Sequence, residues 1–219
     1  MSSNIEELIE NIFAKEDINI QRTISKYIGL LFKWHETNNI VSSSSIDYVI
    51  KREIYDSYQF NNVLSGNSFS DIGTGGGIPG LIIAILKPNI RVDLIDRKTT
   101  FINFLSLVKA ELNLENVTVI KKDVLRPGVF FDTDTVVMKN FSNKKISKMK
   151  FEEKFSFMMN VIKNNGTASK AYMLTGSPVL ELSEECVSKF SLSTTKISSP
   201  FFSTSRYIAE VRFEDTIDS

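Results

Sequence analysis

The run Asp71-Ile-Gly-Thr-Gly-Gly-Gly-Ile-Pro-Gly80 holds the chain's clearest chemistry. An acid closes a short apolar stretch, glycines stand at Gly73, Gly75 and Gly77, and Pro79-Gly80 opens an apolar helical run over 81–86. Glycine permits positive φ and removes the Cβ that would keep a ligand off the backbone. The start of a helix adds unpaired N–H groups. This is a turn suited to a nucleotide-type cofactor. Gly75-Gly-Gly77-Ile-Pro-Gly80 also satisfies the G-x-G-x-x-G dinucleotide fingerprint, and a phosphate-binding or purely structural turn fits the glycines too. Asp71 weighs against a dinucleotide, because it would face a pyrophosphate with like charge. It suits a ligand with positive charge nearby, such as the sulfonium and ammonium of S-adenosylmethionine.

Two more acids extend the pattern. Arg91-Val-Asp-Leu-Ile-Asp96 reads as a strand ending in an acid beyond the glycines, placed to accept from ribose hydroxyls. A third strand, at 116–120, leads to Asp123. In the S-adenosylmethionine-dependent methyltransferase fold an acid there commonly holds the adenine amino group, so three strand-end acids in order resemble that superfamily. The cofactor-contacting set is then Asp71, Gly73, Thr74, Gly75, Gly77, Pro79, Asp96, Arg97, Asp123, Val124 and Lys139.

The elements that must position these residues follow from periodicity. Apolar stripes at Ile5, Leu8, Ile9, Ile12 and Phe13, at Ile20, Ile24, Tyr27, Ile28, Leu31 and Trp34, and at Val49, Ile50, Ile54 and Tyr58 predict three core-facing helices. Polar residues at 61–62 and 65–67 then mark a break. Beyond it, strands near 69–72, 91–96, 116–120 and 135–139 alternate with helices near 79–86, 98–112 and 147–164, before a strand at 168–174. Such alternation predicts a parallel sheet covered on both faces, with ligand at the strand C-terminal ends. The stretches 192–198 and 206–213 read as a closing antiparallel hairpin, typical of class I methyltransferases and foreign to the plain dinucleotide fold. The expected fold is α/β, a class I S-adenosylmethionine-dependent methyltransferase (Rossmann-like). It has a mostly parallel seven-stranded sheet, a C-terminal antiparallel hairpin and an N-terminal helical extension, divided at 1–64 and 65–215.

Composition narrows the chemistry. The 219 residues suffice for one sizeable domain with an appendage. One histidine, His35, and one cysteine, Cys186, argue against a histidine-based metal centre, a zinc cluster, a hydrolytic triad and an intramolecular disulfide. Metal is expected to be absent. No apolar run approaches the length of a membrane span, and the N-terminal residues lack the pattern of a signal peptide, so a cytoplasmic protein without membrane contact is expected. Net charge is zero, so any nucleic-acid contact needs a local basic patch.

The glycine run continuing into Pro79-Gly80 resembles the D-x-G-[ST]-G-x-G-x-P-G signature of the small-subunit ribosomal RNA guanine-N7 methyltransferases, the RsmG or GidB family. Trp34-His-Glu-Thr-Asn-Asn39-Ile-Val-Ser42 is similar to that family's W-N…N-L-T element, and Arg52-Glu-Ile-Tyr-Asp56-Ser57 to its R-H-x-x-D-S element. Leu112-Asn-Leu-Glu-Asn116-Val, Phe104-Leu105 and Arg206-Tyr-Ile match further family runs in the same order. The chain departs from the pattern at Glu53 (His in the family), Thr100 and Phe101 (a basic pair), Asp123 and Lys139 (both Arg), and Thr175 (Lys). Arginine and lysine differ in geometry and donor count, so the change at Lys139 is not neutral.

The resemblance implies transfer of a methyl group to N7 of a guanine in 16S ribosomal RNA, free or in the 30S subunit, by a monomer. N7 has an in-plane lone pair and no proton, so no general base is required, only extraction and alignment of the base. Lys139, Asn140 and Phe141 follow the fourth strand, where transfer is expected. Lys139 would donate to O6 or a phosphate, Asn140 would orient the base, and Phe141 would stack on it. Arg52, Lys121, Lys122, Lys144, Lys145, Lys148 and Arg206 are the expected RNA contacts. Asp56 and Ser57 are expected to brace the cofactor turn, and His35 to be structural. A same-fold methyltransferase for another RNA or a small molecule, and a non-catalytic RNA-binding protein that keeps the cofactor pocket, stay open as alternatives.

Overall fold

Residues 3–41, 43, 45–126, 128–139 and 146–213 are described by the structure, a computed structural model. The N-terminal helices form where the apolar stripes demand them. Helix α1 (Ser3–Ile12) buries Ile9 and Ile12, and α2 (Ile18–Asn38) buries Ile24, Tyr27, Ile28, Leu31 and Phe32. The Asp17 carboxylate caps α2 by accepting from Asn19 N–H at 2.7 Å, and Asn39 ends it at φ 52°. His35 sits at that end as a structural acceptor, its Nδ1 taking the Val41 N–H at 3.3 Å.

The third expected helix is continuous but not uniform. Helix α3 (Ile46–Tyr48) runs into a π-helical segment, Val49–Ile54, and then into α4 (Tyr55–Asn61). Apolar spacing does not distinguish a widened turn from an α-helical one. The widening lies at Arg52 and Glu53, and π-turns often mark functional positions.

The sheet contains β1 (Ser68–Ile72), β2 (Arg91–Asp96), β3 (Val117–Lys121), β4 (Thr135–Lys139), β5 (Lys170–Thr175), β6 (Leu192–Ser199) and β7 (Phe202–Arg212). Their order is β3-β2-β1-β4-β5-β7-β6; β1 to β5 are parallel, and β7 is antiparallel to both β5 and β6. This is the expected mostly parallel sheet with its closing hairpin. The crossovers are α5 (Gly80–Leu86), α6 (Thr99–Leu112) and α7 (Phe151–Asn164). A 3-10 turn, Ser177–Glu181, and the short α8 (Glu184–Lys189) were not expected; both are too short to show periodicity.

Alternation along the central strands divides the interior into two cores. Val137, Tyr172 and Leu174 face one core, shared by α5, α6 and the N-terminal helices. Val136, Met138, Ala171 and Met173 face the other, built with α7, Val179, Cys186 and Phe190. The described helices before β1 therefore pack on one face of the sheet, and the π-helical turn between α3 and α4 reaches the β6–β7 hairpin through Arg52 and Thr204. Strand order reverses at β1, between β2 and β4, which opens a crevice at the strand ends.

Candidate functional site

Asp71 organises the turn between β1 and α5. It is 1% exposed, and its Oδ2 accepts from the Thr74 hydroxyl (2.8 Å) and the Gly80 N–H (2.9 Å). Burial pushes its carboxyl up to about 7; the bonds from Thr74 and Gly80 oppose the rise and the Asp96 charge adds to it. Gly80 is required by packing, since a Cβ there would meet Leu94 Cδ2 at 2.4 Å and Asp71 Oδ2 at 2.6 Å. Gly75 is required for the opposite reason. It has φ +57°, and a Cβ would meet nothing nearer than the Gly73 carbonyl at 4.0 Å, so its backbone faces open space. Gly73 and Gly77 also have positive φ, Thr74 is buried, and the Ile78–Pro79 bond is cis.

Asp96 closes β2 beside this turn. Its Oδ2 accepts from Gly75 N–H at 3.2 Å and its Oδ1 from Lys98 N–H at 2.9 Å. A carboxylate has about four lone-pair positions, so capacity remains for ligand hydroxyls. Arg97, next along, is exposed. Past β3, Asp123 is half-buried and its Oδ1 accepts from Leu125 N–H at 3.2 Å, while the Val124 side chain is buried. Acids thus end or follow three adjacent strands on one edge, around an open glycine backbone.

The neighbouring edge of β4, β5 and β7 is built differently. Lys139 ends β4 with 9% of its side chain exposed, in contact with the carboxylate of Glu53 from the π-helical segment. Burial first, then the Arg206 charge, pulls its ammonium down to about 7. From β7, Arg206 Nε lies 3.5 Å from Asp56 Oδ2, and burial pushes Asp56 up to about 6 against the charges of Arg206 and Arg52. Asp56 Oδ1 and Arg206 Nε have no hydrogen-bond partner among the described residues. Thr175, at the end of β5, is buried close by.

Two sequence expectations change here. Arg52 was expected on the RNA surface, but it is 7% exposed. Its guanidinium donates to the Thr204 carbonyl (3.1 Å) and hydroxyl (2.6 Å) and stacks on Phe202 at 4.1 Å. It fastens the helical extension to the β6–β7 hairpin. Asp56 and Ser57 were expected to brace the cofactor turn. Asp56 turns to Arg206 instead, and Ser57 Oγ donates to the Glu53 carbonyl at 2.7 Å. The brace comes from Tyr27, whose hydroxyl donates to the Gly76 carbonyl at 2.7 Å. Tyr27 lies within an ordinary apolar stripe, so no local signal marks it. Lys121 and Lys148 are exposed and Lys122 is half-buried; Lys121 Nζ reaches Thr99 Oγ1 at 2.8 Å. Asn140, Phe141, Lys144 and Lys145 lie outside the described residues.

A family model described as rRNA small subunit methyltransferase G (GidB) matches residues 20–197. The chain belongs to this family. Among curated relatives, the ribosomal RNA small subunit methyltransferase G of Sodalis glossinidius (strain morsitans) is 34% identical over 57% of this chain and 63% of that protein. Its namesake from Hydrogenovibrio crunogenus is 36% identical over 48% of this chain and 50% of that protein. The chain thus spans only about half to two-thirds of the length of these relatives. Among solved structures, magnesium protoporphyrin IX methyltransferase (ChlM) from Synechocystis PCC 6803, with bound SAM, superposes with a TM-score of 0.53. It is 18% identical and covers 85% of this chain and 97% of that one. The pyocyanin biosynthetic protein PhzM gives 0.55 at 17% identity, over 77% of this chain and 57% of that one. These structural likenesses establish the class I methyltransferase fold. No described helix is long and apolar enough to cross a membrane. Among the described residues no cluster of His, Cys, Asp or Glu could hold a metal ion.

Proposed function

We propose that the protein is an S-adenosylmethionine-dependent methyltransferase acting on N7 of a guanine in 16S ribosomal RNA, as a cytoplasmic monomer on the free RNA or the 30S subunit. The observation that carries this reading is the pairing of Asp96 with Gly75 over a backbone that faces open space. That cradle fits a nucleoside with a short cationic tail. Asp96 would accept from the ribose, Asp123 would hold the adenine amino group, and Val124 would floor the base. Gly73, Thr74, Gly77 and Pro79 would shape the wall, with Arg97 at the rim. S-adenosylmethionine, when bound, supplies an electrophilic methyl group. The chain's own part is to place the base and exclude water. Guanine N7 carries no proton, so no side chain has to remove one before attack, and the scarcity of His and Cys costs nothing. Lys139 ends the strand next to β1, where it would donate to guanine O6 or to a phosphate and leave the N7 lone pair free. Lys121, Lys122, Lys148 and Arg206, with Lys144 and Lys145, supply phosphate contacts.

The test uses the full chain with methyl-labelled S-adenosylmethionine and either naked small-subunit RNA or 30S subunits. Label on a single guanine is the expected result. Tight cofactor binding without transfer to either substrate would overturn the enzymatic reading and favour an RNA-binding protein that keeps the pocket.

A further inference from the structure

The Glu53–Lys139 contact joins two elements far apart in the chain: a π-helical turn of the N-terminal extension and the end of β4. Both side chains are largely withdrawn from water, at 14% and 9% exposure. Taking two charges out of water is expensive, and apolar neighbours would fasten these elements at least as well. The turn that carries Glu53 is also held on both sides. Arg52 is pinned to Thr204 and Phe202, and Ser57 Oγ donates to the Glu53 carbonyl. A carboxylate set this firmly fixes the position of whatever it grips.

The charged groups around Lys139 make that grip consequential. From the extension come Arg52, Glu53 and Asp56; from β7 comes Arg206, which is itself against Asp56. Asp71 on β1 is turned away to Thr74 and Gly80. Burial first, and then Arg206, oppose a charged Lys139; the Glu53 carboxylate is in direct contact with it. An ammonium has three donors and no acceptor. Guanine shows two acceptors, N7 and O6, on the edge to be methylated, whereas adenine shows N7 beside an amino donor. A charged lysine therefore accepts guanine and rejects adenine there, while a neutral amine, with a lone pair, distinguishes them poorly.

We propose that Glu53 is a positioning residue that clamps the Lys139 ammonium at the end of β4 as the donor that reads guanine O6, so that base choice depends on a side chain of the N-terminal extension. The clamp serves a second purpose. With Lys139 protonated the pair is neutral overall, so it places no net positive charge against a base that becomes cationic on methylation. The proposal rests on the methyltransferase reading above.

The experiment compares the full-length chain with Glu53→Gln and Glu53→Asp, and has two arms. In the first, lysine side-chain NMR follows the titration of Lys139, assigned by its loss in Lys139→Arg. Glu53→Gln is expected to move that titration down by about one pH unit or more, with Glu53→Asp in between. In the second, single-turnover transfer is measured against pH on RNA carrying the target guanine or adenine in its place. Glu53→Gln is expected to lose about tenfold or more in guanine transfer near neutral pH, to shift the alkaline limb downward with Lys139, and to narrow the guanine preference. Cofactor affinity should stay within about twofold, and Glu53→Asp should restore part of the loss. A lower melting temperature with an unchanged Lys139 titration and base preference would overturn the clamp and leave a mere fastener. If the wild-type chain binds cofactor but methylates no guanine, the methyltransferase reading fails. The NMR arm still decides the clamp: a shift supports it and no shift overturns it. If Glu53→Gln does not fold, Glu53→Asp carries both arms.

Discussion

The edges proposed to hold the cofactor and to handle the base lie side by side on one sheet, yet they are held together in different ways. Around the glycine turn the deciding hydrogen bonds span short stretches of chain: 3 residues from Thr74 to Asp71, 9 from Gly80 to Asp71, and 21 from Gly75 to Asp96. At the other edge Arg52 reaches Thr204 across 152 residues, and Glu53 and Asp56 find Lys139 and Arg206 only once the extension has docked. The first edge is built mainly from β1 through β2, with Tyr27 of α2 bracing Gly76 from 49 residues away. The second exists only where α3–α4, β4 and the C-terminal hairpin converge. Cofactor binding is therefore expected to survive damage to the second edge, whereas methyl transfer is not.

The largest way to break that comparison is Gly80→Ala. The added Cβ would meet Leu94 and Asp71 at 2.4 and 2.6 Å, so overpacking should cost about 1–3 kcal/mol. Calorimetric binding and thermal melts should both fall, and retained cofactor affinity would show that the Asp71–Gly80 brace is dispensable. Asp96→Ala comes next. It removes the acceptor of the Gly75 and Lys98 N–H groups, which water can reach, at about 0.5–1.5 kcal/mol each, and S-adenosylmethionine affinity should weaken at least about tenfold. Unchanged affinity would sink the ribose assignment.

Arg52→Ala should act on the second edge alone. Removal of two hydrogen bonds and a stacking contact should lower stability by about 1–3 kcal/mol while cofactor affinity holds. The salt slope of RNA binding should not move; a shallower slope would return Arg52 to the RNA surface. A pH series sharpens the first edge. The Asp71 carboxyl is raised to about 7 in the fold from an ordinary 3.8, so the folded state holds its proton over a range where the unfolded chain has lost it. Its contribution to stability is fully present below about pH 4, declines as pH rises, and is gone above about 7. In Asp71→Asn that component of the melting curve's pH dependence should vanish; an unchanged slope would place the charge elsewhere. The smallest effect is expected from Lys121, Lys122 and Lys148 exchanged singly for Glu. Each should weaken RNA binding only a few-fold and lower the salt slope by about one or two, and no change at any of them would retire the basic face.

The succession of strands along the chain, the glycine turn and the strand-end positions of Asp71, Asp96 and Asp123 were legible from local pattern; the sheet order and the inward turn of Asp71 to Thr74 and Gly80 were not. Strand alternation, positive-φ glycines and helix starts are written in contiguous residues, and Asp96 meets Gly75 because β1 and β2 pair in parallel register. The widened turn at Val49–Ile54 was not legible, because apolar spacing reads a π-turn and an α-turn alike. Tyr27 looked like core and proved to brace Gly76, since a stripe shows which face is buried but not where a hydroxyl ends.

By itself the sequence determined the glycine turn and the strand-end positions of its acids, whose partners are mostly neighbours in the chain or one strand away; the Tyr27 brace came only with the fold. Only the tertiary structure decided the opposite edge. It buried Arg52 under the hairpin, turned Asp56 toward Arg206, and brought Glu53 to Lys139. Charges withdrawn from water must find partners, and which partners they find depends on how the extension packs across the strand ends.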